Sequence, residues 1–169
     1  MKVLLDTHAL LWWLSDSDRL GENAREIIAD PVHDILVSIV SLWEIAIKIR
    51  IGKLDADMND ILAAIPAEGF SLLQIQPEHL QILMSLPLHH PDPFDHLLIA
   101  QAQAEHATFL SEDGQMDHYP IKRIRCSCSR NYRQNTPSCR SYKGAKPYPV
   151  SGRLISVMKR ISPDLFFEP

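Results

Sequence analysis

The stretch Lys2-Val3-Leu4-Leu5-Asp6-Thr7 runs directly into His8-Ala9-Leu10-Leu11-Trp12-Trp13-Leu14. A short apolar run that ends in a carboxylate and passes into a helix-compatible segment predicts a strand buried on both faces, leaving the core at Asp6. The carboxyl ends of strands are where open α/β sheets place their ligand sites, so Asp6 is a candidate for chemistry. The plainer reading is that Asp6 or Thr7 caps the helix, and this stretch alone does not choose between them. Further apolar runs at Ile35 to Ser38, Phe70 to Ile75, Thr108 to Ser111 and, more briefly, Ile121 to Arg125 read as strands. Between them lie helical segments at Glu22 to Asp30, Ser41 to Ile51, Asn59 to Ile65, Glu78 to Leu86 (Leu80, Leu83 and Met84 inward) and Pro93 to Ala104. This alternation with short loops predicts an α/β fold with a parallel sheet covered on both faces.

With 169 residues and 46% hydrophobic content, the chain can bury one sizeable core. No apolar run reaches the ~20 residues of a membrane helix, and Asp6 interrupts the first run too early for a signal peptide, so a cytoplasmic protein is expected. Three cysteines, all after residue 125, make no secreted disulfide framework. Charge divides the chain: residues 1–121 hold 6 Lys/Arg and 19 Asp/Glu, residues 122–169 hold 11 and 2. The expected organisation is a domain at 1–125 and a basic extension at 126–169.

Four acids stand beside buried elements. Asp6 and Asp113 end apolar strands, while Glu44 and Asp95 come early on helices that begin near the same sheet edge. Each has a structural reading. Ser41-x-x-Glu44 has capping-box spacing and Glu44 is four residues before Lys48. Asp92 and Pro93 start a helix whose dipole favours Asp95, and Asp113-Gly114 is a turn signal. If the four converge, their mutual repulsion calls for a divalent cation such as Mg²⁺ or Mn²⁺, and carboxylate-held ions suit phosphodiester hydrolysis. His89 and His90, adjacent in a proline-rich loop, read as solvent-facing rather than metal-ligating.

The segments Leu4-Leu5-Asp6-Thr7-His8-Ala9-Leu10-Leu11-Trp12, Ser41-Leu42-Trp43-Glu44-Ile45-Ala46-Ile47-Lys48, Asp92-Pro93-Phe94-Asp95-His96-Leu97-Leu98-Ile99-Ala100-Gln101-Ala102 and Leu110-Ser111-Glu112-Asp113 together resemble the PIN domain, in particular the VapC-like toxins of bacterial toxin–antitoxin modules. The resemblance spans about residues 1–125. It implies a three-layer α/β/α sandwich around a mostly parallel sheet, Mg²⁺- or Mn²⁺-dependent endoribonuclease activity, a homodimer and inhibition by a cognate antitoxin. It also implies that Asp6, Glu44, Asp95 and Asp113 are the catalytic and metal-holding acids, reversing the capping reading of Glu44. Ser111 corresponds to the Ser/Thr beside the last acid, and Thr7, Asp92 and Asp117 are supporting candidates. His96 stands where these toxins often carry Arg.

The family pattern ends soon after Ile121. Beyond it, the Pro-, Ser-, Lys- and Arg-rich residues read as a disordered basic extension, an RNA-binding arm or an out-of-frame continuation of a shorter gene. Cys126-x-Cys128 with Cys139 lacks a fourth zinc ligand. An aspartyl-phosphatase reading fails because His8, not Asp, lies two residues after Asp6. The standing rival to a nuclease is a non-catalytic PIN-like module that binds RNA or a partner. Trp12, Trp13 and Trp43 read either as ordinary core residues or as the lining of an apolar groove for an antitoxin segment. Asp16 and Asp57 read as exposed acids outside the cluster.

Overall fold

A computed structural model describes residues 1–89 and 91–127. Five strands, β1 (Lys2–Leu5), β2 (Asp34–Ser38), β3 (Ser71–Leu73), β4 (Thr108–Leu110) and β5 (Arg123–Ile124), form one sheet in the order β3-β2-β1-β4-β5. Every neighbouring pair is parallel, with Leu4 opposite Leu36 on one side and Phe109 on the other. The helices are α1 (Thr7–Leu14), α2 (Glu22–Ala29), α3 (Ile39–Arg50), α4 (Met58–Ala67), α5 (Pro77–Ser85) and α6 (Pro93–Ala104), with a 3₁₀ turn at Gly114–His118. This is the expected α/β/α sandwich.

Strand alternation divides the core. Val3, Leu5, Ile35, Val37 and Leu110 face a cluster built with α1, α2 and α4. Leu4, Leu36 and Phe109 face the opposite way onto Leu97, Leu98, Ile99 and Ala102 of α6. The α3 helix contributes to both clusters through Leu42 and Ile45 on one and Val40 on the other. Strand order reverses direction at β1, so the crevice between the carboxyl ends of β1 and β4 is the topological switch point, the place where such sheets bind ligands. Asp6 follows β1 there, and its backbone N–H donates to Leu110 O of β4.

Several expectations are corrected. Helix α3 begins at Ile39, two residues before Ser41, and Ser38 is its N-cap, its Oγ accepting from Val40 N. Ser41 is therefore inside the helix and Ser41-x-x-Glu44 is no capping box. On α5, Leu80 and Met84 are exposed, and the inward face is His79, Leu83 and Leu86. His79 closes a capping box with Gln76, its Nδ1 accepting from Gln76 N, which rotates the apolar residues 80 and 84 outward. Trp12 and Trp13 are core residues at 8% and 5% exposure, so they line no groove; Trp43 alone of the three is open, at 54%. Asp16 is half-buried and holds Arg25 at 2.8 Å, while Asp57 is exposed as expected and also caps α4 by accepting from Asn59 N.

The packed body reaches two residues past Arg125. Cys126 is buried, Gly21 N donates to its carbonyl at 2.7 Å, and Ser127 N and Oγ both donate to Glu112. His90, Cys128, Cys139 and the basic extension lie outside the described residues.

Candidate active site

Asp6 is held from both oxygens. Its Oδ1 accepts from His8 N and, at 3.3 Å, from Ala9 N, so it does cap α1; its Oδ2 accepts from Ser111 Oγ at 2.6 Å. Capping and site-building are thus two uses of one carboxylate, since a cap bond occupies only part of its acceptor capacity. Ser111 Oγ also accepts from Asp113 N at 3.1 Å, which ties the end of β4 to the end of β1. Asp113 in turn caps the 3₁₀ turn through Gln115 N.

Glu44 is buried on α3 and reaches the same crevice through Thr7, whose Oγ1 donates to Oε2 at 2.6 Å. Its other oxygen meets Lys48 Nζ at 2.6 Å, the expected i,i+4 pair. Asp95 sits in the first turn of α6, whose N-cap Asp92 accepts from Phe94 N. Burial, and then the negative charges of Asp6, Asp92, Glu44 and Asp113, push the Asp95 carboxyl up from 3.8 to about 8. The charges of the other expected acids therefore act on Asp95, while Thr7 ties α1 to α3 and Ser111 ties the end of β4 to that of β1.

Asp117 forms a two-bond pair with Arg123, at 2.7 and 2.6 Å, which holds its carboxyl below the usual range. Arg123 also donates to the Ser111 carbonyl. His96, at the position expected to be Arg, is buried, with Nε2 2.8 Å from the Tyr119 hydroxyl. The sequence gives His8 no site role, yet its ring nitrogen stands 3.7 Å from Asp6 Oδ1. Its place in the first turn after Asp6 was the available signal.

The donor set suits a hard divalent cation, being all carboxylate with hydroxyls behind it. Among the described residues, no group of three or more His, Cys, Asp or Glu stands in ion-holding geometry. Mg²⁺ needs no such cage, because it keeps several waters and takes one or two carboxylates, and the raised Asp95 carboxyl marks crowded negative charge that a cation would relieve. The residues therefore fit such an ion.

Among solved structures, the chain is similar to VapBC2 from Rickettsia felis bound to a DNA fragment from its promoter (16% identity, 74% of this chain and 98% of that one, TM-score 0.58). It is also similar to VapBC-1 from nontypeable Haemophilus influenzae (14% identity, the same coverage, TM-score 0.52). No curated protein matches it. These likenesses speak to the fold, and the family model for the PIN domain matches residues 3–122, most of the chain. With the fold, the crevice and the family model in agreement, the chain belongs to the PIN domain family.

Proposed function

We propose that this protein is a metal-dependent endoribonuclease, the toxin of a toxin–antitoxin pair, hydrolysing RNA phosphodiester bonds in the cytoplasm. The observation that carries the reading is the pair of fixed carboxylates at the sheet's switch point, Asp6 held by Ser111 and Glu44 held by Thr7, whose charges add to burial in raising the Asp95 carboxyl. Asp6, Glu44, Asp95 and Asp113 would hold Mg²⁺ or Mn²⁺. Bound there, the ion supplies Lewis acidity that generates the attacking nucleophile and stabilises the leaving oxygen.

The chain's own residues position and balance charge. Ser111 and the α1 amides fix the Asp6 carboxylate, so it needs no reorientation on binding. Thr7 fixes one Glu44 oxygen while Lys48 neutralises the other. Asp95, protonated near neutral pH without a cation, would give up that proton on binding one. A cognate antitoxin is the proposed inhibitor, a reading supported by the toxin–antitoxin assemblies among the structural neighbours. A homodimer is also proposed, with the exposed Leu80 and Met84, one turn apart on α5, in its apolar face.

The test is cleavage of structured and single-stranded RNAs by purified protein with EDTA, Mg²⁺ or Mn²⁺. Cleavage restored by either ion is expected; RNA binding without cleavage in any of the three would favour the non-catalytic module.

A further inference from the structure

Trp43 and Phe94 stack edge to face, with ring centroids 4.9 Å apart and planes at 74°. Trp43 immediately precedes Glu44 on α3, and Phe94 immediately precedes Asp95 on α6. The pair therefore joins the helices that carry two of the crevice acids, beside those acids. An edge-to-face contact leaves one ring with both faces free of its partner. At 54% exposure, Trp43 retains much of its apolar surface in water, unlike Trp12 and Trp13.

RNA binding by this domain needs such a surface. Residues 1–127 carry 9 Lys/Arg against 19 Asp/Glu, and Lys48 and Arg123, cations beside the crevice, are already engaged by Glu44 and Asp117. Phosphate contacts, which dominate most nucleic-acid binding, are therefore a poor source of affinity on this body. Stacking of bases on aromatic rings does not depend on cations, and every base offers a face.

We propose that Trp43, backed by Phe94, is a stacking platform for an unpaired nucleobase of the RNA strand entering the crevice. This rests on the ribonuclease reading and adds a preference for single-stranded over paired segments, because only an unpaired base can swing onto the ring. Trp43 is a substrate-binding residue here and takes no part in bond breaking. Ile47 and Ile51, also exposed, continue along α3 after Trp43 and would serve a protein partner better than a base. The experiment therefore separates the two.

A 2′-O-methyl oligoadenylate, which resists cleavage, is titrated in Mg²⁺ against wild type, Trp43→Ala and Trp43→Phe, with an abasic oligomer of equal length as the second ligand. Binding is read by fluorescence anisotropy, oligomeric state by light scattering and folding by thermal melt. Expected results are a Kd raised about tenfold or more in Trp43→Ala, most of the affinity kept in Trp43→Phe, and wild type binding the abasic oligomer as weakly as Trp43→Ala binds the intact one. Equal affinities for intact and abasic oligomers would overturn the platform while leaving the nuclease reading standing. So would a Trp43→Ala that changes oligomeric state with Kd unchanged, which would assign the face to a second copy. Wild type that cleaves no RNA yet loses oligomer affinity in Trp43→Ala would fail the nuclease reading and keep the platform.

Discussion

Asp95→Asn should stabilise the metal-free protein. The Asp95 carboxyl lies at about 8 in the folded chain against 3.8 ordinarily, because burial and four neighbouring acids oppose its charge. At ~1.4 kcal/mol per pKa unit, keeping it protonated at pH 7, about three units above its ordinary value, costs about 4 kcal/mol as an upper bound, and roughly 1–3 once the crevice relaxes and takes up water. Asn removes that cost and forfeits at most the ~0.3–1 kcal/mol that a carboxylate gains in the first turn of a helix. Repulsion wins, and the melting temperature should rise by about 3–8 °C in EDTA. The folded value is raised, so the wild-type carboxyl opposes folding increasingly as pH climbs from about 4 to about 8. The gap between variant and wild type should thus be absent near pH 4, widen toward pH 8 and then level off. Saturating Mg²⁺ should narrow it, since the ion stabilises the wild type more. Melts across that pH range, with and without Mg²⁺, test the reasoning; a variant that melts lower, or a gap indifferent to pH, would refute it.

Glu44→Gln loses its bond to Lys48 but can still accept from Thr7, so stability should shift by no more than ~0.5 kcal/mol while RNA cleavage falls ~100-fold or more, as melts and initial rates would show. Asp117→Asn, which among the described residues removes a carboxylate bonded to Arg123 rather than to a crevice acid, should leave the cleavage rate unchanged. A chain ended at Arg125 should be less stable in urea by about 2 kcal/mol than one ended at Ser127, because it loses the buried Cys126 and its bond from Gly21.

What the sequence displayed and what it hid divide along local and distant causes. Asp6 and Asp113 were legible because each terminates an apolar run, and the parallel sheet followed from the alternation of such runs with helices. Asp95 was placed by Asp92 and Pro93. Glu44 was misjudged from spacing, since the serine that caps α3 is Ser38, and only the family resemblance pointed to chemistry. The inward face of α5 was off by one position because apolar residues at 80, 82, 83, 84 and 86 permit more than one stripe; the buried His79 decides it through Gln76. His96 meeting Tyr119, and Ser38 donating to Gln101 at 2.5 Å, join residues 23 and 63 apart, and no local pattern announces either.

The central claim is that Asp6, Glu44, Asp95 and Asp113 act together on RNA through a divalent ion. It is tested most directly by the initial rate of Mg²⁺-dependent cleavage of one RNA by wild type, by Asp6→Asn, Glu44→Gln, Asp95→Asn and Asp113→Asn, and by the exposed controls Asp18→Asn and Asp55→Asn. The account predicts losses of ~100-fold or more in each of the four variants, all still folded, and wild-type rates in both controls. Full activity in Asp6→Asn or Glu44→Gln, or cleavage unaffected by EDTA, would contradict it.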